Sequence, residues 1–322
     1  MREVEVAAVA RRVVEDYLGV TAGERFLIVT DTRTSPSLGP ALAGHAFALG
    51  ADPVLVVMAP RARSGEEPPA PVAAAMCEAD VLLAAASRSC YHTEAKGAAQ
   101  ARGTRGVFNA PSDEAAWIDG AMTADFVMVR ETAMRLADAL RGAREVHVTS
   151  PAGTDVRMSI EGREPKGWLT GICRNPGEVS ALPGGEVSFP PVEGTSNGTV
   201  VVERVMTDIG VVHDPIVWTV RDGHVVQITG GSEADRLRQH VEGVENATNV
   251  GELGIGLNPL ARITSDITES KKALGTAHVA MGDSAGGYGG TVVSDVHLDG
   301  IIMTPRIEVD GSVLADGGQV LV

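Results

Sequence analysis

Through residues 1–145, short unbroken apolar runs alternate with helix-patterned stretches, and this alternation constrains the fold more than any other feature. The runs "ERFLIVTD", "ADPVLVVMA", "DVLLAAAS" and "TRGVFNAP" are separated by "LGPALAGHAFALG", "VAAAMCEA" and "TEAKGAAQARG". An amphipathic helix pattern, "MREVEVAAVARRVVEDYLGV", opens the series and "ADFVMVRETAMRLADALRGA" closes it. A strand that is apolar at every position is one covered on both faces, which is the habit of parallel sheets flanked by helices. Residues 1–145 are therefore expected to form a Rossmann-like α/β domain. After the first run stands "DTRTSPS" rather than GxGxxG, and no GxxxxGK[ST] occurs, so a nucleotide cofactor is not expected.

From Arg144 the texture changes. "REVHVTSPAGTDVRMSIEG" reads as two strands joined by a turn, and "VRDGHV" and "EVDGSV" carry Asp-Gly hairpin signals. With one helix, "SEADRLRQHVEGV", residues 146–322 are expected to form a mostly antiparallel β (α+β) domain. Apolar residues make up 44 % of the chain but aromatics only 3 %, so the core must be built from Val, Ala, Leu and Ile. A formal net charge of −15 argues against nucleic acid or an anionic membrane as partner. Three cysteines at irregular spacing support neither a disulfide framework nor a zinc-thiolate site. The opening helix lacks the pattern of a signal peptide and no stretch has the length of a membrane span, so a cytoplasmic protein is expected.

The chemistry concentrates in the second half. In "SDVHLDGII", a strand pattern, His297 and Asp299 share a face because side chains at i and i+2 do. His278 lies in another apolar strand pattern that runs into a glycine-rich loop, Glu252 stands alone in "NVGELGIGLNPLA", and Glu186 follows a Pro-Gly-Gly turn. Carboxylates are rarely buried unless paired or metal-bound. Three carboxylates and two imidazoles in such settings suit two divalent cations sharing bridging carboxylates, provided the fold brings them together. Other ionisable residues rank lower. His213 and Asp214 are neighbours whose side chains point to opposite faces, and His92 follows a strand at its carboxyl edge, where a helix start is the safer reading. Cys90 has no paired base in sight. Glu193, Glu269, Asp295 and the Lys271–Lys272 pair are read as partners at a remove from the site or as solvated turn residues.

The succession "PGGEV…PVEGTSNGTV", "GELGIGLNP", "ESKKALGTAHVAMG" and "HLD" resembles the metal-dependent leucyl aminopeptidases of the aminopeptidase T and aminopeptidase S type. The likeness spans nearly the whole chain and is strongest over residues 182–299. It implies a binuclear metal site of Glu186, Glu252, His278, His297 and Asp299, filled by two zinc, cobalt or manganese ions. It also implies a homodimer and matches Tyr288 to a tyrosine of the glycine-rich loop. In such a site Glu186 or Glu252, reaching past its metal, is expected to act as the catalytic proton shuttle, and Tyr288 as a catalytic group that stabilises the oxyanion or donates to it. The implied activity is metal-dependent hydrolysis of an amide (C–N) bond in a small molecule or short peptide. The 2,5-dihydroxypyridine 5,6-dioxygenases resemble the same scaffold more distantly. They imply one Fe(II) held by two His and one Asp, with a His in place of Glu252 and apolar residues in place of Glu186 and His278. A non-catalytic metal-binding protein is the third alternative, and the presence of all five residues speaks against it.

Overall fold

The computed structural model describes residues 2–167, 169–285 and 289–322. The chain forms two compact units, one from Met1–Arg130 and Trp168–Gly184, the other from Glu131–Gly167 and Gly185–Val322. The fold is mixed α/β, with one parallel sheet in the first unit and two antiparallel sheets in the second.

In the first unit the apolar runs are strands. Arg25–Asp31 lies between Asp52–Met58 and Val81–Ala84, and Arg105–Val107 and Val179–Ser180 extend the sheet, every neighbouring pair being parallel. Helices Leu38–Ala48, Ala70–Glu78 and Glu94–Ala101 connect successive strands. Alternation along the first strand serves two faces. Phe26 and Ile28 pack with Leu42 and Leu83, while Leu27 and Val29 pack with Met76 and Phe108. The Asp52–Met58 strand departs from this rule, because it lies at the sheet edge and leaves Val54, Leu55 and Val57 exposed.

In the second unit the Asp-Gly pairs turn as their chemistry predicts. Asp222 and Gly223 join Ile216–Arg221 to His224–Thr229, and Asp310 and Gly311 join Arg306–Val309 to Ser312–Asp316. Both central residues of each turn have positive φ (47° and 75°; 46° and 84°), the twist that matches a right-handed hairpin. These strands belong to an eight-stranded antiparallel sheet. Its Val148, Val156, Val200 and Trp218 share one core with Leu253, Ile255, Val279, Met281 and Leu298 of a six-stranded sheet, and with Leu136 and Leu140 of the helix Phe126–Leu140. Half of each strand in the six-stranded sheet is thus committed to the core, and the other half is free to face elsewhere.

Arg105 ties down the start of the first unit. Its guanidinium makes a two-pronged contact with Glu24 at 2.7 and 2.9 Å and also donates to the carbonyls of Leu18 and Gly19. Burial opposes a charge on Glu24, but the hydrogen bonds from Arg105 outweigh it and hold the carboxyl below its ordinary value of 4.5. Arg105→Met leaves Glu24 and two carbonyls without this donor, and is expected to cost about 2–3 kcal/mol at neutral pH in chemical denaturation. A carboxyl with a lowered folded pKa contributes stability above its unfolded value and loses it as pH falls through the folded one. The difference between wild type and variant should therefore shrink as the pH is taken below 4.5.

Candidate metal centre

Four adjacent strands of the six-stranded sheet, Glu186–Phe189, Val250–Gly256, Thr276–Gly282 and His297–Met303, carry all five sequence-predicted donors. Their register decides the site. Glu186 pairs with Gly256, Gly254 with His278, Glu252 with Ala280, Ala280 with Asp299, and Gly282 with His297. Residues directly opposite in an antiparallel ladder share a face, as do residues two apart on one strand. Glu186, Glu252, His278, His297 and Asp299 therefore stand on one face, interspersed with Gly254, Gly256, Ala280 and Gly282. The intervening Leu253, Ile255, Val279, Met281 and Leu298 fill the core on the other.

The small residues make room for the large ones. A Cβ at Gly254 would lie 2.0 Å from Cε1 of His278, so the imidazole lies across bare backbone there. His278 is fully buried, and Glu186, Glu252 and Asp299 nearly so. The Nε2 atom of His278 faces Oε2 of Glu186 at 3.7 Å, Oδ1 of Asp299 at 3.9 Å and Oε2 of Glu252 at 4.0 Å. None of these is a hydrogen-bond distance. Among the described residues, Oε2 of Glu186, Oδ1 of Asp299 and both ring nitrogens of His278 have no hydrogen-bond partner.

Buried polar atoms without partners are costly and uncommon. A divalent cation would give Nε2 of His278 and the carboxylate oxygens facing it the partner they lack. Glu252, His278 and Asp299 each offer a donor atom, all within 4.8 Å of one another. Two ligands that each lie about 2.0–2.2 Å from one ion are about 3–4 Å apart, which is the spacing seen around His278. The residues present fit a bound metal ion.

His297 is held differently. Its Nδ1 donates to the carbonyl of Asp283 at 2.8 Å, and its Nε2 donates to Oε2 of Glu252 at 2.9 Å, with Oδ1 of Asp299 3.4 Å away. The backbone contact fixes the ring so that Nε2 points to the carboxylates, the usual arrangement behind a histidine ligand. Burial disfavours charge on this ring, but Asp299 and Glu252 outweigh it and push its pKa up to about 10. Burial likewise opposes ionisation of Asp299 and Glu252, and the nearby positive charges, Lys271 foremost, hold both carboxyls below their ordinary values.

Lys271 follows the less favoured of its two sequence readings: it is a partner of the site's carboxylates and does not sit in a solvated turn. It follows the one-turn helix Ile267–Ser270, and its Nζ reaches Oδ2 of Asp299 at 3.2 Å and Oε2 of Glu186 at 3.8 Å. The signal was available only as a lysine spaced seven residues before His278. Its neighbour Lys272 is also buried, and burial pulls its pKa down.

Tyr288 lies outside the described residues. Glu193 accepts hydrogen bonds from the backbone and hydroxyl of Thr291 and pairs with Arg163, which in turn donates to the carbonyl of Gly289. It thus anchors the glycine-rich loop and is not one of the clustered donors. Glu269 accepts from the backbone of Arg262, His213 pairs with Glu233, and Asp295 is exposed. Cys90 is buried, and burial pushes its thiol up to about 11, which disfavours a thiolate nucleophile.

A family described as 2,5-dihydroxypyridine 5,6-dioxygenase (NicX) matches residues 8–322. No curated protein matches the chain in sequence. The solved 2,5-dihydroxypyridine dioxygenase from Pseudomonas putida KT2440 is 17 % identical with a TM-score of 0.85, covering 99 % of this chain and 98 % of that one. Wild-type AmpT from Thermus thermophilus is 18 % identical with a TM-score of 0.70, each chain being covered over 100 % of its length. At such identities the two structures establish the fold they share with this chain.

The bare backbone at Gly254 gives the site a direct test. Gly254→Ala forces the His278 ring to move, and the variant is expected to lose about tenfold or more in affinity for zinc or manganese, read by equilibrium dialysis and metal analysis. The far-ultraviolet circular dichroism should stay that of the wild type.

Proposed function

The chain belongs to the NicX family, described as 2,5-dihydroxypyridine 5,6-dioxygenase, and from the donor set of its site we propose that it is a metal-dependent enzyme that hydrolyses an amide C–N bond. The observation that carries this reading is the donor set. A single-iron oxygenase site uses two His and one carboxylate with open positions. Here three carboxylates and two imidazoles stand on one sheet face, and Glu252, His278 and Asp299 each offer a donor atom within 4.8 Å of the other two. Glu186, Glu252, His278, His297 and Asp299 would together hold two divalent cations, zinc, cobalt or manganese.

Bound divalent cations supply Lewis acidity, polarising an amide carbonyl and acidifying water. The chain does the rest. The carboxylate of Glu186, whose Oε2 has no hydrogen bond, is placed to take a proton from the attacking water and return it to the leaving amine. Glu252 is the other candidate for that shuttle, although its Oε2 already accepts from His297. Asp283, just past the strand Thr276–Gly282, keeps His297 oriented through its carbonyl, and the strand pairing puts the five side chains on one face. Tyr288, ten residues after His278 in the sequence, would steady the developing oxyanion. The substrate class is a small amide or short peptide, and a homodimer and a cytoplasmic setting go with the reading. No helix is long and apolar enough to cross a membrane among the described residues.

The family match and the dioxygenase neighbour favour a second reading, a ring-cleaving enzyme with one Fe(II). The two readings separate in one experiment, metal analysis of protein purified without added metal and without oxygen, beside Glu252→Ala. The hydrolase reading expects about two zinc, cobalt or manganese ions per chain, falling in the variant, and amine release from a panel of amides. One iron per chain, with oxygen uptake on hydroxylated pyridines, would replace it with the second.

A further inference from the structure

Three carboxylates on one sheet face carry a charge that two imidazoles do not fully balance, and the chain places one more cation among them. Lys271 Nζ lies 3.2 Å from Oδ2 of Asp299 and 3.8 Å from Oε2 of Glu186. His278 faces the other oxygen of Asp299, Oδ1, at 3.9 Å and shares Oε2 of Glu186 with the lysine, at 3.7 Å. The donors therefore divide. Glu252, His278 and Asp299 form a compact group for one ion. The remaining oxygen of Asp299 is engaged by an ammonium that also reaches Glu186.

We propose that Lys271 is a built-in counter-cation that competes with the second metal ion for Asp299 and Glu186, so that the two ions enter in steps of unequal affinity. The inference rests on the two-cation reading above. An ammonium within 4 Å of a carboxylate neutralises the charge that an incoming ion needs, and it repels that ion at the same range. The first ion meets His278, Glu252 and Oδ1 of Asp299, while the ammonium sits on Oδ2 of the same carboxylate. The second must displace Nζ, and its binding free energy is reduced by the ion pairs it breaks. Lys271 is attached just after a one-turn helix, and its side chain is partly exposed, so the stem has room to swing away when displaced.

The test needs no substrate. Metal-depleted wild type, Lys271→Met and Lys271→Arg are titrated with Co(II), bound metal being counted by equilibrium dialysis and followed by the visible absorption of the protein-bound ion. Wild type is expected to bind one Co(II) tightly and a second more weakly. In Lys271→Met the second step should tighten by about tenfold or more, and by more than the first, so that the gap between the two steps narrows. Lys271→Arg keeps the charge, so it should keep the two unequal steps and control for any damage to the fold. A second step of unchanged affinity in Lys271→Met, with two ions still bound, overturns the role of Lys271 alone. A single ion bound by both wild type and Lys271→Met overturns the two-cation reading together with it.

Discussion

Everything distinctive about this chain follows from placing ionisable groups on a sheet face where water is scarce. Three carboxylates and two imidazoles sit on one side of four paired strands, and four of the five are buried. The desolvation of such a cluster is unfavourable by several kcal/mol per uncompensated ion, of the order seen for buried charges elsewhere. The second unit supports it with the opposite face of the same strands, where Leu253, Ile255, Val279, Met281 and Leu298 fill an apolar core. Period-two alternation does both jobs at once, so the site and the core are two sides of one ladder.

Much of this was legible in the sequence because each donor interrupts a pattern. Glu252 in "GELGIG" and His278 in "TAHVAMG" are lone polar residues in otherwise small or apolar strands, and His297 and Asp299 are spaced to share a face. The parallel sheet was legible for the same reason, since unbroken runs such as "RFLIVTD" leave few alternatives. What the pattern did not carry was register. Only the pairing of Gly254 with His278 and of Ala280 with both Glu252 and Asp299 brings residues distant in sequence onto one face, and no local signal encodes it.

Two other features escaped for identifiable causes. Val179–Ser180 joins the parallel sheet although it lies beyond the helix Phe126–Leu140, and two residues are too few to show any periodicity. Lys271 sits next to another lysine beside acidic residues, a setting that reads as a solvated turn. Its proximity to Asp299 is a property of where the short helix Ile267–Ser270 ends, and charge patterning along the chain does not report it. The likeness to both a dioxygenase and an aminopeptidase is understandable on the same grounds. The scaffold supplies a rigid face on paired strands, and the chemistry depends on which few side chains occupy it.

The register has a further consequence for how the protein is made. The donors are drawn from Glu186 on one strand to Asp299 on another, and the strand that carries His297 and Asp299 lies between two that are far apart in the chain. A ribosome must release nearly all of the polypeptide before the constellation exists. On the metal reading, cation capture would be a late event of biosynthesis, in contrast to small zinc modules in which a few neighbouring ligands gather the ion and the ion organises the fold. The metal would then be supplied to a finished sheet, whose earlier strands find their partners without it.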